Sequence, residues 1–187
     1  MRVLGGRFGG RTLHSPSPPL KRHLRPMREA VRAALFSILG DSVQDARFLD
    51  LFAGTGSVGI EALSRGAASC TFVDHSPEAC ALIEKNLRSL KLQAEIYQLD
   101  AFRAIELFER QRLQFDLVFV GPPYGQGLAH RALEHLVRHP ILDAEAQVIT
   151  EVFKKEILAE DYGALVLADS RSYGDNRLCF YAWHTLE

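Results

Sequence analysis

The sequence predicts a doubly wound α/β domain, with a mostly parallel sheet of about seven strands, preceded by a short basic N-terminal extension. Three observations lead to this prediction. From residue 47 onward, apolar segments of strand length alternate with segments of helix length, as in repeated βα units. A glycine-rich loop follows the first of these strands. Residues 1–32 carry eight basic side chains against one acid, whereas the remaining 155 residues carry 14 basic and 22 acidic side chains.

The composition is that of a globular protein with one sizeable core. Of the 187 residues, 47% are hydrophobic and 24% are charged. No apolar run approaches the roughly 20 residues of a membrane span, and the first residues lack the apolar stretch of a signal peptide. The three cysteines are scattered without a CxxC pair, and the histidines form no ligand pattern. We expect a cytoplasmic, monomeric protein with reduced thiols, no membrane partner and no metal.

Residues 1–40 are predicted to be a basic segment distinct from the main domain, residues 41–187. Glycines and prolines interrupt the first 20 residues, which indicates a loose strand or hairpin and then a loop. A helix is predicted to begin near Pro26 and to stop at Gly40, with Arg28 and Arg32 together on its polar face. Because arginine suits forked contacts to phosphate, nucleic acid is the favoured partner, and a solvated arm is the alternative. The candidate contacts are Arg7, Arg11, Arg22, Arg25, Arg28 and Arg32.

The remaining elements follow in order along the chain. Strands are predicted over residues 47–52, 69–73, 95–99, 115–120, 147–153, 164–168 and 178–183. Helices are predicted over residues 58–64, 77–90, 101–110 and 128–138, the second of them capped by Ser76 with Pro77 in its first turn. Repeated βα units favour parallel strands, and the last two strands are predicted to form an antiparallel hairpin at one edge.

The loop after the first strand is typical of a Rossmann-like site for an adenosine-containing ligand. Residues 54–59 read Gly-Thr-Gly-Ser-Val-Gly, and Asp74 follows 20 residues after Gly54, at the end of the second strand. The glycines permit a tight turn and a close approach of the ligand, and the acid accepts hydrogen bonds from ribose hydroxyls. A purely structural turn is the alternative.

Two further acids favour S-adenosylmethionine over a dinucleotide such as NAD. Asp50 lies just before the glycines, where its charge would repel a pyrophosphate but attract the sulfonium and ammonium groups of S-adenosylmethionine. Asp100 follows the third strand and could accept a hydrogen bond from the adenine amine, or simply cap the next helix. All three acids are predicted at the carboxyl edge of the sheet, where open α/β domains bind ligands.

A rigid aromatic loop follows the fourth strand. Residues 120–125 read Val-Gly-Pro-Pro-Tyr-Gly, and the two prolines fix an extended backbone course. Such a loop presents carbonyl oxygens and an aromatic face in one orientation, which would position a base amine for methyl transfer. A turn without a catalytic role is the alternative.

Several motifs resemble those of the RsmD-type ribosomal RNA methyltransferases. Residues 49–57, Leu-Asp-Leu-Phe-Ala-Gly-Thr-Gly-Ser, and residues 61–66, Glu-Ala-Leu-Ser-Arg-Gly, are similar to that family's first motif. Residues 2–13 and 24–36 resemble its glycine-containing start and its Arg-Pro helix, so the resemblance extends to about residue 153. It implies a class I methyltransferase sheet and transfer from S-adenosylmethionine to N2 of a guanine. The implied partner is small-subunit ribosomal RNA or the small subunit, held in part by the N-terminal segment.

The resemblance also implies roles for individual residues. Asp50, Gly54 and Gly56 match the loop at the methionine moiety, Asp74 the ribose acid and Asp100 the acid near adenine. The predicted cofactor residues are Asp50, Phe52, Ala53, Gly54, Thr55, Gly56, Asp74, His75, Asp100 and Ala101, and the predicted catalytic residues are Gly121, Pro122, Pro123 and Tyr124. Glu151, at the end of the fifth strand, is a weaker candidate.

One departure from the family pattern keeps other functions open. The family has Asp or Asn before the two prolines, where this chain has Gly121, so a side-chain acceptor for the target amine is missing. Main-chain carbonyls or another residue could replace it, or the protein could be a weakly active or non-catalytic RNA-binding or ribosome-assembly factor. The core motifs also permit a DNA base amine as the target, and the glycine loop alone would permit an NAD-dependent oxidoreductase.

Overall fold

The computed structural model describes residues 1–22, 24 and 26–184. It divides into two compact units, Met1–Asp100 and Ala101–Glu187. The boundary predicted at residue 40 falls within the first unit.

The first unit begins with a short hairpin rather than a free arm. Arg2 and Thr12 form an antiparallel bridge, and the backbone N–H of Val3 donates to the carbonyl of Arg11 at 2.9 Å. Val3 and Leu13 are buried, so this segment contributes to the core. The predicted hairpin is therefore confirmed, although the segment is more firmly packed than its glycines and prolines suggested.

Helix α1, Glu29–Leu39, begins later than predicted. Arg28 has φ −59° and ψ 137°, an extended conformation that is incompatible with a helix already running from Pro26. Gly40 ends the helix as expected, and its N–H donates to the carbonyl of Phe36. The proline marks the approach to the helix and not its first turn.

Three parallel strands form the sheet of the first unit, in the order β3-β2-β1. They are β1, Arg47–Leu51, β2, Ser69–Asp74, and β3, Glu95–Gln98, connected by α2, Ser57–Ser64, and α3, Pro77–Leu90. The hydroxyl of Ser76 accepts the N–H of Ala79 and Pro77 lies in the first turn of α3, as predicted. The carboxyl ends of all three strands thus meet at one edge.

The second unit contains α4, Ala101–Arg110, β4, Phe115–Val120, α5, Leu128–Arg138, β5, Leu142–Phe153, β6, Leu165–Tyr173, and β7, Asn176–Trp183. Strands β4 and β5 are parallel, and β7 pairs antiparallel with both β5 and β6. The predicted hairpin of the last two strands is confirmed, and these strands and β5 are longer than the sequence indicated. Seven strands, mostly parallel and alternating with helices, confirm the predicted α/β class. Among the described residues no helix is long and apolar enough to cross a membrane.

Candidate active site

Asp74 fixes the glycine-rich loop to the end of β2. Its Oδ2 accepts the backbone N–H of Gly54 at 2.8 Å, and its Oδ1 accepts the N–H of Ser76 at 2.9 Å. The side chain is almost buried, yet a carboxylate oxygen can accept a second hydrogen bond. This placement is compatible with the predicted ribose contact and gives Asp74 a structural role as well.

Gly56 and Asp50 shape the first turn of α2. Gly56 has φ 74°, and a Cβ at this position would lie 2.8 Å from Cγ1 of Ile83, so only glycine fits. Asp50 is 1% exposed and its Oδ2 accepts the N–H of Gly59 at 2.9 Å. Burial raises the pKa of Asp50 to about 8, although this hydrogen bond opposes the shift. A cationic group nearby would favour the charged carboxylate, which fits the ammonium group of S-adenosylmethionine.

The other predicted cofactor residues lie along the same edge of the first unit, except for one. Phe52, with φ 68°, and the buried Ala53 and Thr55 belong to the loop after β1. His75 is exposed beside Asp74, and Asp100 is exposed at the end of this unit. The N–H of Leu99 donates to the carbonyl of Asp74 at 3.1 Å, which holds the chain after β3 against the end of β2. Ala101 is buried and begins α4, in the second unit.

The loop after β4 presents its aromatic residue and leaves no room for a side chain at its first position. Tyr124 is 44% exposed, whereas Pro122 is buried and Pro123 is exposed. A Cβ on Gly121 would lie 2.7 Å from Cε1 of Phe119, whose ring is itself buried. The space that an acceptor side chain at position 121 would occupy is therefore filled by the ring of Phe119.

Tyr124 belongs to a polar cluster that the sequence did not reveal. The side-chain amide of Asn176 donates to the Tyr124 hydroxyl at 2.9 Å and to Oε1 of Glu151 at 2.5 Å. Glu151 lies on β5 and Asn176 begins β7, so the antiparallel pairing of these strands brings them together. Asn176 lies between the predicted strands 164–168 and 178–183, where the sequence gave no signal for a functional side chain, so sequence reasoning missed it.

The arginines of the N-terminal segment divide into exposed and buried side chains. Arg7, Arg11 and Arg28 are exposed. Arg25 and the side chain of Arg22 lie outside the described residues. Arg32 is 0% exposed, and its guanidinium donates to the carbonyl of Arg2 and lies 3.6 Å from the carboxylate of Glu61. The prediction that Arg32 contacts RNA is wrong for this placement, because a fully buried guanidinium cannot reach a phosphate.

Glu61 organises this region and was not singled out by the sequence. Its buried carboxylate accepts the backbone N–H groups of Leu4 and Gly5, each at 2.8 Å, and Nε of Arg65 at 2.8 Å. Burial lowers the pKa of Arg32, and the charge of Glu61 opposes that shift. The sequence offered two signals, the family motif at residues 61–66 and a Glu and an Arg four residues apart, and the second by itself indicates an ordinary surface pair.

The expected absence of a metal site remains a prediction. Within the described residues, one group, Glu106, His135 and His139, brings a possible ligand atom from each side chain within 4.8 Å of the others. His139 already lies 2.6 Å from a carboxylate oxygen of Glu109, and His135 lies 3.5 Å from Glu106. These contacts join α4 to α5 and to His139, which directly follows α5.

Comparisons with known proteins agree with this arrangement. The family model described as "Conserved hypothetical protein 95" matches residues 1–182. "Putative rRNA methyltransferase YlbH" of Bacillus subtilis is 32% identical over 183 residues, which cover 97% of this chain and 98% of that protein. "Ribosomal RNA small subunit methyltransferase D" of Escherichia coli is 34% identical over 151 residues, or 81% of this chain and 74% of that protein.

A solved structure shows the same fold over the whole chain. "Putative methyltransferase yhhF" from Escherichia coli superposes with a TM-score of 0.83 at 30% identity and covers 100% of this chain and 99% of that one. The α/β fold is therefore that of class I methyltransferases, and the cofactor is S-adenosylmethionine, as Asp50 and Asp100 indicated. The chain belongs to the RsmD-type family of S-adenosylmethionine-dependent RNA methyltransferases.

Proposed function

We propose that this protein methylates the exocyclic N2 of a guanine in small-subunit ribosomal RNA. The observation that carries the proposal is the exposed ring of Tyr124 in a Pro-Pro-Tyr loop that directly follows β4. Such a ring offers a stacking surface to an unpaired or extruded base. The name of the Escherichia coli relative, which specifies the ribosomal small subunit, supports the choice of RNA.

Each proposed cofactor residue would bind a different part of S-adenosylmethionine. Asp74 would accept hydrogen bonds from the ribose, Asp50 would face the methionine ammonium, and Asp100 would accept from the adenine amine. Residues 52–56 would contact the methionine moiety, and His75 and Ala101 would lie beside the adenosine. When bound, S-adenosylmethionine supplies a methyl group whose bond to sulfur breaks as the bond to the amine nitrogen forms.

The catalytic loop would act by positioning. The lone pair of a guanine N2 amine is delocalised into the ring, so acceptors on its hydrogens localise the pair and raise its reactivity. The carbonyls of Gly121 and Pro122 could accept such hydrogen bonds, and Pro123 holds the backbone while Tyr124 stacks on the base. The methylated nitrogen then releases one proton to solvent. No residue of the loop need act as a strong base.

The basic N-terminal segment would hold the RNA. Arg7 and Arg11 lie in or beside the N-terminal hairpin, and Arg28 immediately precedes α1; all three are exposed. Arg22 and Arg25 remain candidate contacts from the sequence alone. We further propose that the protein acts as a monomer in the cytoplasm, where the small subunit is assembled.

The test is transfer of labelled methyl from S-adenosylmethionine to small ribosomal subunits that lack the modification. Wild type, Asp74→Ala and the surface control Glu84→Ala are compared, and the labelled nucleotide is identified by mass spectrometry. We expect wild type and Glu84→Ala to label one guanine at N2, and Asp74→Ala to lose both labelling and cofactor binding. Labelling of another atom, or of duplex DNA in place of RNA, would show that the proposed substrate is wrong.

A second candidate function rests on the packing of Gly121 against Phe119. If no other group replaces the missing acceptor, the protein could bind cofactor and RNA as a ribosome-assembly factor with little transfer. Binding of subunits with wild-type affinity but without label, at concentrations well above the dissociation constants, would favour this reading.

A further inference from the structure

The strand register places Glu151 beside Gly121. Val120 pairs with Thr150 in the parallel ladder between β4 and β5, so the next positions along the two strands are Gly121 and Glu151. Because side chains alternate between the faces of a sheet, a side chain at 121 and that of Glu151 would extend from the same face, which is also the face of Phe119. Glu151 is thus the carboxylate on the neighbouring strand at the position where the family motif has lost its own acceptor.

The environment of Glu151 is that of a fixed acceptor. The residue is 6% exposed, and the Asn176 amide donates one N–H to its Oε1 and the other to the hydroxyl of Tyr124. A planar amide that makes both contacts sets the carboxylate and the tyrosine in a defined relation. A carboxylate has several acceptor positions, and one of those of Glu151 would accept the donor from the substrate.

The ring of Phe119 occupies the space that an acceptor side chain at position 121 would need. It occupies the space that any Cβ on Gly121 would need, at 2.7 Å from Cε1, and it is buried. An Asp or Asn at 121 would therefore require this ring to move.

We propose that Glu151 is the catalytic acceptor for the target amine, taking the role that an Asp or Asn before the two prolines has in the family, and that Asn176 is a positioning residue that aligns Glu151 with Tyr124. The inference rests on the proposed function. Glu151 would accept one N–H of the amine while the nitrogen lone pair attacks the methyl group, and the proton would leave to solvent after transfer. It would act on the transition state rather than on binding.

The experiment measures kcat and KM for methyl transfer to unmodified small subunits at saturating S-adenosylmethionine. We expect Glu151→Ala to lower kcat by about 10² to 10³-fold, by analogy with single transition-state acceptors and donors. Glu151→Gln, which keeps an oxygen acceptor, should lose much less, and Asn176→Val should lose about 10-fold, within the range for misplacement of a reacting group. The dissociation constant for S-adenosylmethionine should not change in any of them.

Lys154→Ala is the matched control, because Lys154 pairs with Asp175 in the turn between β6 and β7, next to Asn176. It removes this 2.8 Å ion pair but keeps the hydrogen bonds from Asn176 to Glu151 and Tyr124, so kcat should stay at the wild-type value. A rescue separates a catalytic role from a structural one. In the Glu151→Ala background, Phe119→Leu with Gly121→Asn makes room for the family's acceptor and should recover at least about 10-fold in kcat.

The outcomes distinguish this inference from the proposed function. If wild type labels no nucleic acid, the proposed function is wrong and the inference is overturned with it. If wild type labels the RNA and Glu151→Ala stays within about threefold of it in kcat, only the inference is overturned. If Glu151→Ala does not fold, Glu151→Gln and the rescue variant decide, and a rescue variant that folds but recovers no activity overturns the acceptor role.

Discussion

Replacing Glu61 with alanine tests what holds the N-terminal hairpin to the first unit. The substitution removes the acceptor of the Leu4 and Gly5 amides and the charge partner of the buried Arg32. An amide left without a partner costs about 1–3 kcal/mol, and breaking one side of a buried ion pair costs about 3–5 kcal/mol. Since the two effects overlap, we expect the free energy of unfolding to fall by about 3–5 kcal/mol, a large share of the roughly 5–15 kcal/mol typical of a protein.

Urea unfolding followed by circular dichroism, extrapolated linearly to zero denaturant, gives this free energy. Hydrogen exchange at the Leu4 and Gly5 amides gives the local effect, and we expect both to exchange much faster in the variant. Glu84→Ala, which breaks only an exposed pair with Arg88, should cost less than about 1 kcal/mol. A loss below about 1 kcal/mol for Glu61→Ala, or unchanged exchange at the two amides, would refute the view that Glu61 anchors the hairpin.

Three further predictions concern other parts of the molecule. Gly56→Ala should lower the free energy of unfolding by about 2–4 kcal/mol in thermal or urea unfolding, because an alanine here is strained by the left-handed backbone and clashes with the buried Ile83. Gly10→Ala, which has the same backbone strain but no close neighbour, should lower it by only about 1–2 kcal/mol. Equal losses in the two variants would contradict the clash. The free energy of unfolding of ligand-free wild type should fall relative to that of Asp50→Asn as the pH rises from about 4 to about 8, because ionising a buried carboxyl with a raised pKa in the folded state destabilises the fold. A difference between the two proteins that stays constant across this pH range would contradict the raised pKa. Arg7→Ala with Arg11→Ala should weaken RNA binding and reduce the slope of log K against log salt by about 1 to 2, and an unchanged slope would show that neither side chain contacts phosphate.

The regular elements were predictable because their signals are local. The glycine loop with Asp74 20 residues later located β1, α2 and β2, and Ser76 with Pro77 located the start of α3. The start of α1 was misplaced because Pro26 allows a helical first turn but does not require one, and the extended backbone of Arg28 depends on tertiary packing.

The long-range partners could not be predicted from local signals. Arg32 fits a basic helix edge when only α1 is considered, since arginine is seldom fully buried. Its burial depends on Glu61, 29 positions further along the chain, and on the carbonyl of Arg2. The role of Asn176 likewise could not be predicted, because its contact with Glu151 depends on the pairing of β7 with β5. Both cases involve contacts between polar side chains that lie far apart in the sequence, which sequence periodicity does not record.

The packing of residue 121 bears on how a departure from a family motif should be tested. Considered alone, Gly121 looks like the loss of a functional side chain, and Gly121→Asp looks like its restoration. The buried ring of Phe119 fills the space of that side chain, so the single substitution would combine a restored acceptor with a steric clash. Loss of activity in Gly121→Asp would therefore say nothing about whether an acceptor is needed. The combination with Phe119→Leu separates the two effects, and its activity with and without Glu151 shows whether the acceptor has moved to the neighbouring strand.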